Sequence, residues 1–128
     1  MDGAAALGFL HQHAPGGEQV ARWAPGGDLE GICQADFRSN VVYVIAEGVD
    51  QIREYDVSDY GAVNLRRQWS IGSFVPTHGG SGSEGLTFVP DAWLRREGFR
   101  DGRGRLCAST NGMGGLMLVA HQNGGRVY

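Results

Sequence analysis

An acidic-glycine-aliphatic opening, Glu30-Gly31-Ile32, returns 54 positions later as Glu84-Gly85-Leu86, and each copy leads into short apolar runs. Self-similarity at such a period marks a chain assembled from stacked supersecondary units, each unable to bury its apolar face alone. After the first opening comes Val41-Val42-Tyr43-Val44-Ile45-Ala46, a β-branched and aromatic run too short for a helix and suited to a buried strand. Gln51–Val57 follows as its hairpin partner, although Ile52, Tyr55 and Val57 do not alternate strictly. Asn64–Ile71, with Leu65, Trp69 and Ile71 on one parity, reads as an outer, half-exposed strand.

The second series has Glu84–Pro90, Arg105–Thr110 and Leu116–Ala120. A shift of 64 lays Glu47-Gly48 on Asn111-Gly112, Ile52 on Leu116 and Tyr55 on Val119. This predicts hairpin turns at 47–50 and 111–114 and an insertion of about ten residues, by comparing the two shifts. Asp91–Gly98 fills that insertion as a helical segment over 91–97, with Asp91 as N-cap and Gly98 as stop. Val20-Ala21-Arg22-Trp23 echoes the run ending at Trp69, so 18–23 is expected to be an earlier outer strand.

Glycine supports the same picture: 22 of 128 residues is far more than helices tolerate and suits a succession of tight turns. The expected fold is therefore all-β, a partial β-propeller made of repeated antiparallel four-stranded blades. Its parts are an N-terminal tail (1–17), the outer strand 18–23, a first blade (28–71), a loop (72–83) and a second, incomplete blade (84–128). Propellers use about four to eight blades and the chain supplies about two, so it reads as a segment. Its partners are the remaining blades or, through open sheet edges, further copies of itself.

A net charge of −3 leaves no basic surplus to neutralise a phosphate backbone, which sets nucleic-acid binding aside. Cys33 and Cys107 are too few for a disulfide framework and lack zinc spacing. No apolar run approaches a membrane span, and the N-terminal residues carry no convincing signal peptide. The reading is a soluble chain of unknown compartment.

Asp28-Leu29-Glu30-Gly31-Ile32, Val42-Tyr43-Val44-Ile45-Ala46-Glu47, Ile52-Arg53-Glu54-Tyr55-Asp56 and Glu84-Gly85-Leu86-Thr87-Phe88 together resemble the phytase-like and SdiA-regulated group of β-propellers, over about residues 18–128. The resemblance implies calcium in or near a central channel, with phosphoester hydrolysis in some relatives and no established chemistry in others.

The residues give the glutamates a reason of their own. Inner strands of successive blades run the same way, so Glu30 and Glu84 converge on one mouth. Like charges there repel unless a cation lies between them, and an oxygen-only ligand set selects a hard ion such as calcium. The metal residues expected are thus Glu30, Glu84 and Glu47. The competing reading makes the first two acceptors for backbone N–H groups and Glu47 structural, as the counterpart of Asn111 in a turn. His78, in the longer loop before Glu84, is the substrate-binding candidate, against its being a solvated loop histidine.

The remaining motifs carry less. His11-Gln12-His13 lacks further ligands and lies in the expected tail. Gly80-Ser81-Gly82-Ser83-Glu84-Gly85 fits a dinucleotide pattern but opens a strand, with no helix N-terminus for a pyrophosphate. His121 reads as an edge or turn residue, and Trp23 and Trp69 as packing between blades. Two functions compete: a metal-dependent hydrolase of phosphoesters or other esters, and a propeller module that binds without catalysis or a truncated segment inactive alone.

Overall fold

The computed structural model describes residues 8, 10–76, 82–110 and 112–128. Its strands are β1 (Leu10–His13), β2 (Gln19–Trp23), β3 (Leu29–Cys33), β4 (Val41–Ala46), β5 (Gln51–Asp56), β6 (Asn64–Ser70), β7 (Ser83–Pro90), β8 (Gly115–His121) and β9 (Arg126–Val127). They form three sheets, ordered β1-β2, β3-β4-β5-β6 and β7-β8-β9, and every pairing is antiparallel. The described chain is all-β apart from α1 (Asp91–Arg96) and one 3₁₀ turn at Glu47–Val49. No described helix is long and apolar enough to cross a membrane.

The middle sheet is covered on both faces, which explains why β4 is an unbroken apolar run and why β5 does not alternate. Val44 and Tyr55 pack towards the first sheet with Leu10, Ala21 and Trp23. Tyr43, Ile45 and Ile52 pack the other way, with Val75, Leu86 and Val119. Ile52 and Tyr55 thus belong to different cores, and both are buried. On the third-sheet side, cross-strand pairing aligns Ile45, Ile52 and Trp69 in one row and Tyr43, Glu54 and Arg67 in the next. β6 is exposed along its whole length, as an outer strand should be. Leu10–His13, expected in a tail, instead pairs with Gln19–Trp23.

The second and third sheets repeat one another down to single hydrogen bonds. Glu47 N–H donates to the Asp28 carbonyl at 2.9 Å, and Gln122 N–H to the Gly82 carbonyl at 2.9 Å. Asp50 N–H then bonds the Glu47 carbonyl at 3.0 Å, matched by Gly125 N–H to the Gln122 carbonyl at 3.1 Å. Both turn residues are left-handed, Asp50 at φ 47° and Gly125 at φ 57°. Ile32 opposes Val44 as Leu86 opposes Val119.

The repeat corrects the sequence alignment after its first strand. Glu30 and Glu84 keep their shift of 54, but the second strands match at 75, since Glu47 corresponds to Gln122 and not to Asn111. β8 is therefore the counterpart of β4, and the insertion is 21 residues. Residues 105–110 form no ladder strand, and 112–114 bend into β8 without closing a hairpin; Asn111 lies outside the described residues. The backbone of the insertion is satisfied locally. Arg100 bridges Leu106, Cys107 N–H donates to the Phe99 carbonyl at 2.9 Å, and Ser109 N–H and hydroxyl donate to the Asp91 carboxylate at 2.8 and 2.6 Å. Asp91 is for this reason not the N-cap of α1; Pro90 holds that position, and Asp91 opens the helix. The end is as expected: Gly98, at φ 60°, lets Phe99 N–H reach back to the Leu94 carbonyl.

Candidate metal centre

β3 and β7 meet where their glycines face. A Cβ on Gly31 would lie 2.7 Å from Leu86 N and 3.1 Å from Gly85 Cα, so the two backbones approach at a distance only glycine permits. This contact between sheets is the physical role of the glycine in the first Glu-Gly opening. It brings the residues before each glycine, Glu30 and Glu84, near enough for the charge of Glu84 to act on Glu30.

Two further carboxylates join them from the first repeat. Asp28, Glu30 and Glu47 each offer an oxygen, and these oxygens lie within 4.8 Å of one another. Asp28 sits just ahead of β3 and Glu47 just after β4, clamped together by the Glu47 N–H to Asp28 carbonyl bond. Gly82, the counterpart of Asp28, lies against the Glu47 side chain, and a Cβ there would collide with its carboxylate. The second repeat thus gives up a carboxylate at 82 and another at 122, where Gln stands for Glu, and keeps Glu84.

Charge accumulates accordingly. Partial desolvation, then the carboxylates of Glu84, Asp28 and Glu47, push the Glu30 carboxyl above its ordinary value. None of the four carboxylates is in an ion pair among the described residues. Oxygen donors suit a hard cation. Ligands at about 2.4 Å from a shared calcium can stand no more than about 4.8 Å apart, so the spacing of Asp28, Glu30 and Glu47 fits one ion.

The sequence candidates divide as follows. Glu30 and Glu47 lie in the cluster, and Glu84 is near enough for its charge to act on Glu30. His78 lies outside the described residues. Asp28 was missed, because it lies just ahead of β3 and joins the cluster through the Glu47 N–H to Asp28 carbonyl bond, a contact across the sheet. His11 and His13 stack at 6.2 Å on β1 and bond Gln19 Oε1 at 2.6 Å and the Gly17 carbonyl at 3.0 Å through Nδ1. The Gly80–Gly85 pattern runs into β7, a strand, as expected.

His121 corrects its edge-or-turn reading. It ends β8 opposite Ser83, and the pair is 2% and 0% exposed. Asn123 N–H donates to His121 Nδ1 at 3.1 Å, which places the ring proton on Nε2. That Nε2 and the Ser83 hydroxyl are buried without a hydrogen-bond partner among the described residues. Their counterparts in the second sheet are Leu29 and Ala46, an apolar pair. His121 also lines, with Glu84, Gln122 and Arg126, a shallow concavity of about 380 Å³.

No protein-family model, curated protein or solved structure matches this chain.

Proposed function

We propose that the chain is a calcium-binding segment of a phytase-like β-propeller and that its chemistry is metal-dependent hydrolysis of a phosphoester. The observation that carries this reading is the convergence of Asp28, Glu30 and Glu47 within one ion's reach, with Glu84 supplied by the neighbouring sheet. The second and third sheets, matched in two turn hydrogen bonds and in the register of their first hairpins, support a propeller, as does the way each sheet covers the next.

Asp28, Glu30 and Glu47 would hold the ion, and Glu84 would add negative charge or an oxygen from the second repeat. Bound there, calcium supplies Lewis acidity towards a phosphoryl oxygen and lowers the pKa of a coordinated water. The protein's own contribution is positional. The Glu47 N–H to Asp28 carbonyl bond fixes the spacing of two ligands, and Gly82 leaves room for the Glu47 carboxylate.

Release of phosphate from an aryl phosphate tests the proposal directly. The expected result is turnover that requires calcium, stops on chelation and falls at least about a hundredfold in Glu30→Gln, a loss of about 2.7 kcal/mol in transition-state stabilisation. Calcium binding without turnover would discard the hydrolase and leave the binding module.

A further inference from the structure

A cleft of about 480 Å³ opens between the first two sheets, away from the carboxylates. We propose that this cleft is a binding site for a neutral, hydroxylated ring, a hexopyranose unit of a glycan. Its volume is within the roughly 300–1,000 Å³ of small-molecule sites. Trp23, Val42 and Tyr60 are among its lining residues.

Trp23 is held in place from two sides. Its indole N–H donates to the Asp59 carbonyl at 2.7 Å, and its ring stacks on Tyr60 with centroids 6.1 Å apart and planes 23° from parallel. Tyr60 is 67% exposed, so the part of its ring not stacked on Trp23 is open to a ligand. A pyranose presents one such complementary surface, a flat face of C–H groups edged by hydroxyls.

The polar lining selects against charge. Among the described residues no Asp, Glu, Lys or Arg lines the cleft, and the His11 imidazole that does line it is bonded through Nδ1 to Gln19 Oε1 at 2.6 Å. The Cys33 thiol there is pushed by burial up to about 11 and stays neutral. Gln12 and Asn40, both exposed, line it with amide side chains, and an amide both donates and accepts, as neighbouring sugar hydroxyls require. A charged ligand would find no carboxylate, ammonium or guanidinium partner here, which makes its desolvation costly. An extended peptide is the less suitable occupant, since its row of backbone groups asks for an open strand edge and not for isolated amides.

Saturation-transfer NMR and tryptophan fluorescence with the methyl glycosides of glucose, galactose, mannose and N-acetylglucosamine test the site on the full chain. The expected result is saturable millimolar binding of at least one, unaffected by calcium chelation. Tyr60→Ala and Gln12→Ala, both exposed positions, should each weaken it about tenfold with the β-sheet circular dichroism unchanged. Silence from all four glycosides, equal binding of a sugar phosphate, or affinity unchanged in both variants would overturn the proposal. Because chelation leaves this site untouched, its failure is distinguishable from failure of the metal centre.

Discussion

Gly31→Val should destabilise the protein by about 2–3 kcal/mol in urea unfolding, the overpacking cost of forcing a branched side chain between two backbones. The added Cβ would sit 2.7 Å from Leu86 N, and that backbone cannot rotate away as a side chain can. Gly31 has no left-handed φ, so the cost is a clash and not backbone strain. The companion glycine provides the contrast. At Gly85 a Cβ meets only the Ala120 Cβ at 3.3 Å, so Gly85→Ala should cost less than about 1 kcal/mol. Gly102→Ala, with nothing within 4 Å, should be close to neutral. Equal losses at Gly31 and Gly102 would contradict the close approach of β3 and β7.

Glu54→Ala should cost about 2–3 kcal/mol, by leaving a cavity and removing a charged acceptor. The side chain is 0% exposed, yet its oxygens take Arg67 Nη2 at 2.7 Å and Arg67 Nε at 3.3 Å, with Arg66 Nε at 3.5 Å. Burial of the carboxylate works against ionisation. The Arg67 hydrogen bonds, the Tyr43 hydroxyl and the two guanidinium charges outweigh it, and the Glu54 carboxyl is held below its usual range. A carboxyl depressed in the folded state contributes stability above its unfolded value, here 4.5, and loses it as pH falls through the folded value. Unfolding monitored from pH 6 downwards should therefore show a decline beginning near 4.5 that is smaller in Glu54→Gln. An identical acid limb in the variant would rule out the ion pair as its source.

The strands that could be read from sequence were those whose pattern matched their burial. Val41–Ala46 is apolar throughout because both of its faces are covered, and Asn64–Ser70 is largely polar because it is an edge. The second repeat was harder because sequence similarity and hydrogen-bond equivalence diverge. Leu116-Met117-Leu118-Val119 resembles the spacing of β5 but occupies the place of β4. Arg105–Thr110 has the composition of a strand, but the Asp91 carboxylate and the Phe99 carbonyl capture its N–H groups before a sheet can. β1 escaped notice for another reason: its apolar signal is a single residue, Leu10, in front of three polar ones.

The candidate carboxylate cluster was legible where the repeat itself carried it. Glu30 and Glu84 follow from the common opening of two strands, and Glu47 from the turn that closes the first hairpin. Asp28 and the buried Ser83 and His121 pair depend on which carbonyls and strand ends meet across a sheet, and no local period announces that. Gly82 shows the same limit. Its importance lies in the Glu47 side chain resting on it, a contact between residues 35 positions apart.

Calorimetric titration with calcium, on the wild type and on the Glu30→Gln, Glu47→Gln double variant, bears most directly on the central claim that these carboxylates form one cation site. Few ligands and an open setting place the expected Kd at about 10⁻⁴–10⁻³ M for the wild type, with one ion per chain. The double variant should keep its β-sheet circular dichroism and lose the binding heat, while Glu84→Gln should weaken binding less than either partner. Calcium heats that are absent from the folded wild type, or that persist unchanged in the double variant, would contradict the account.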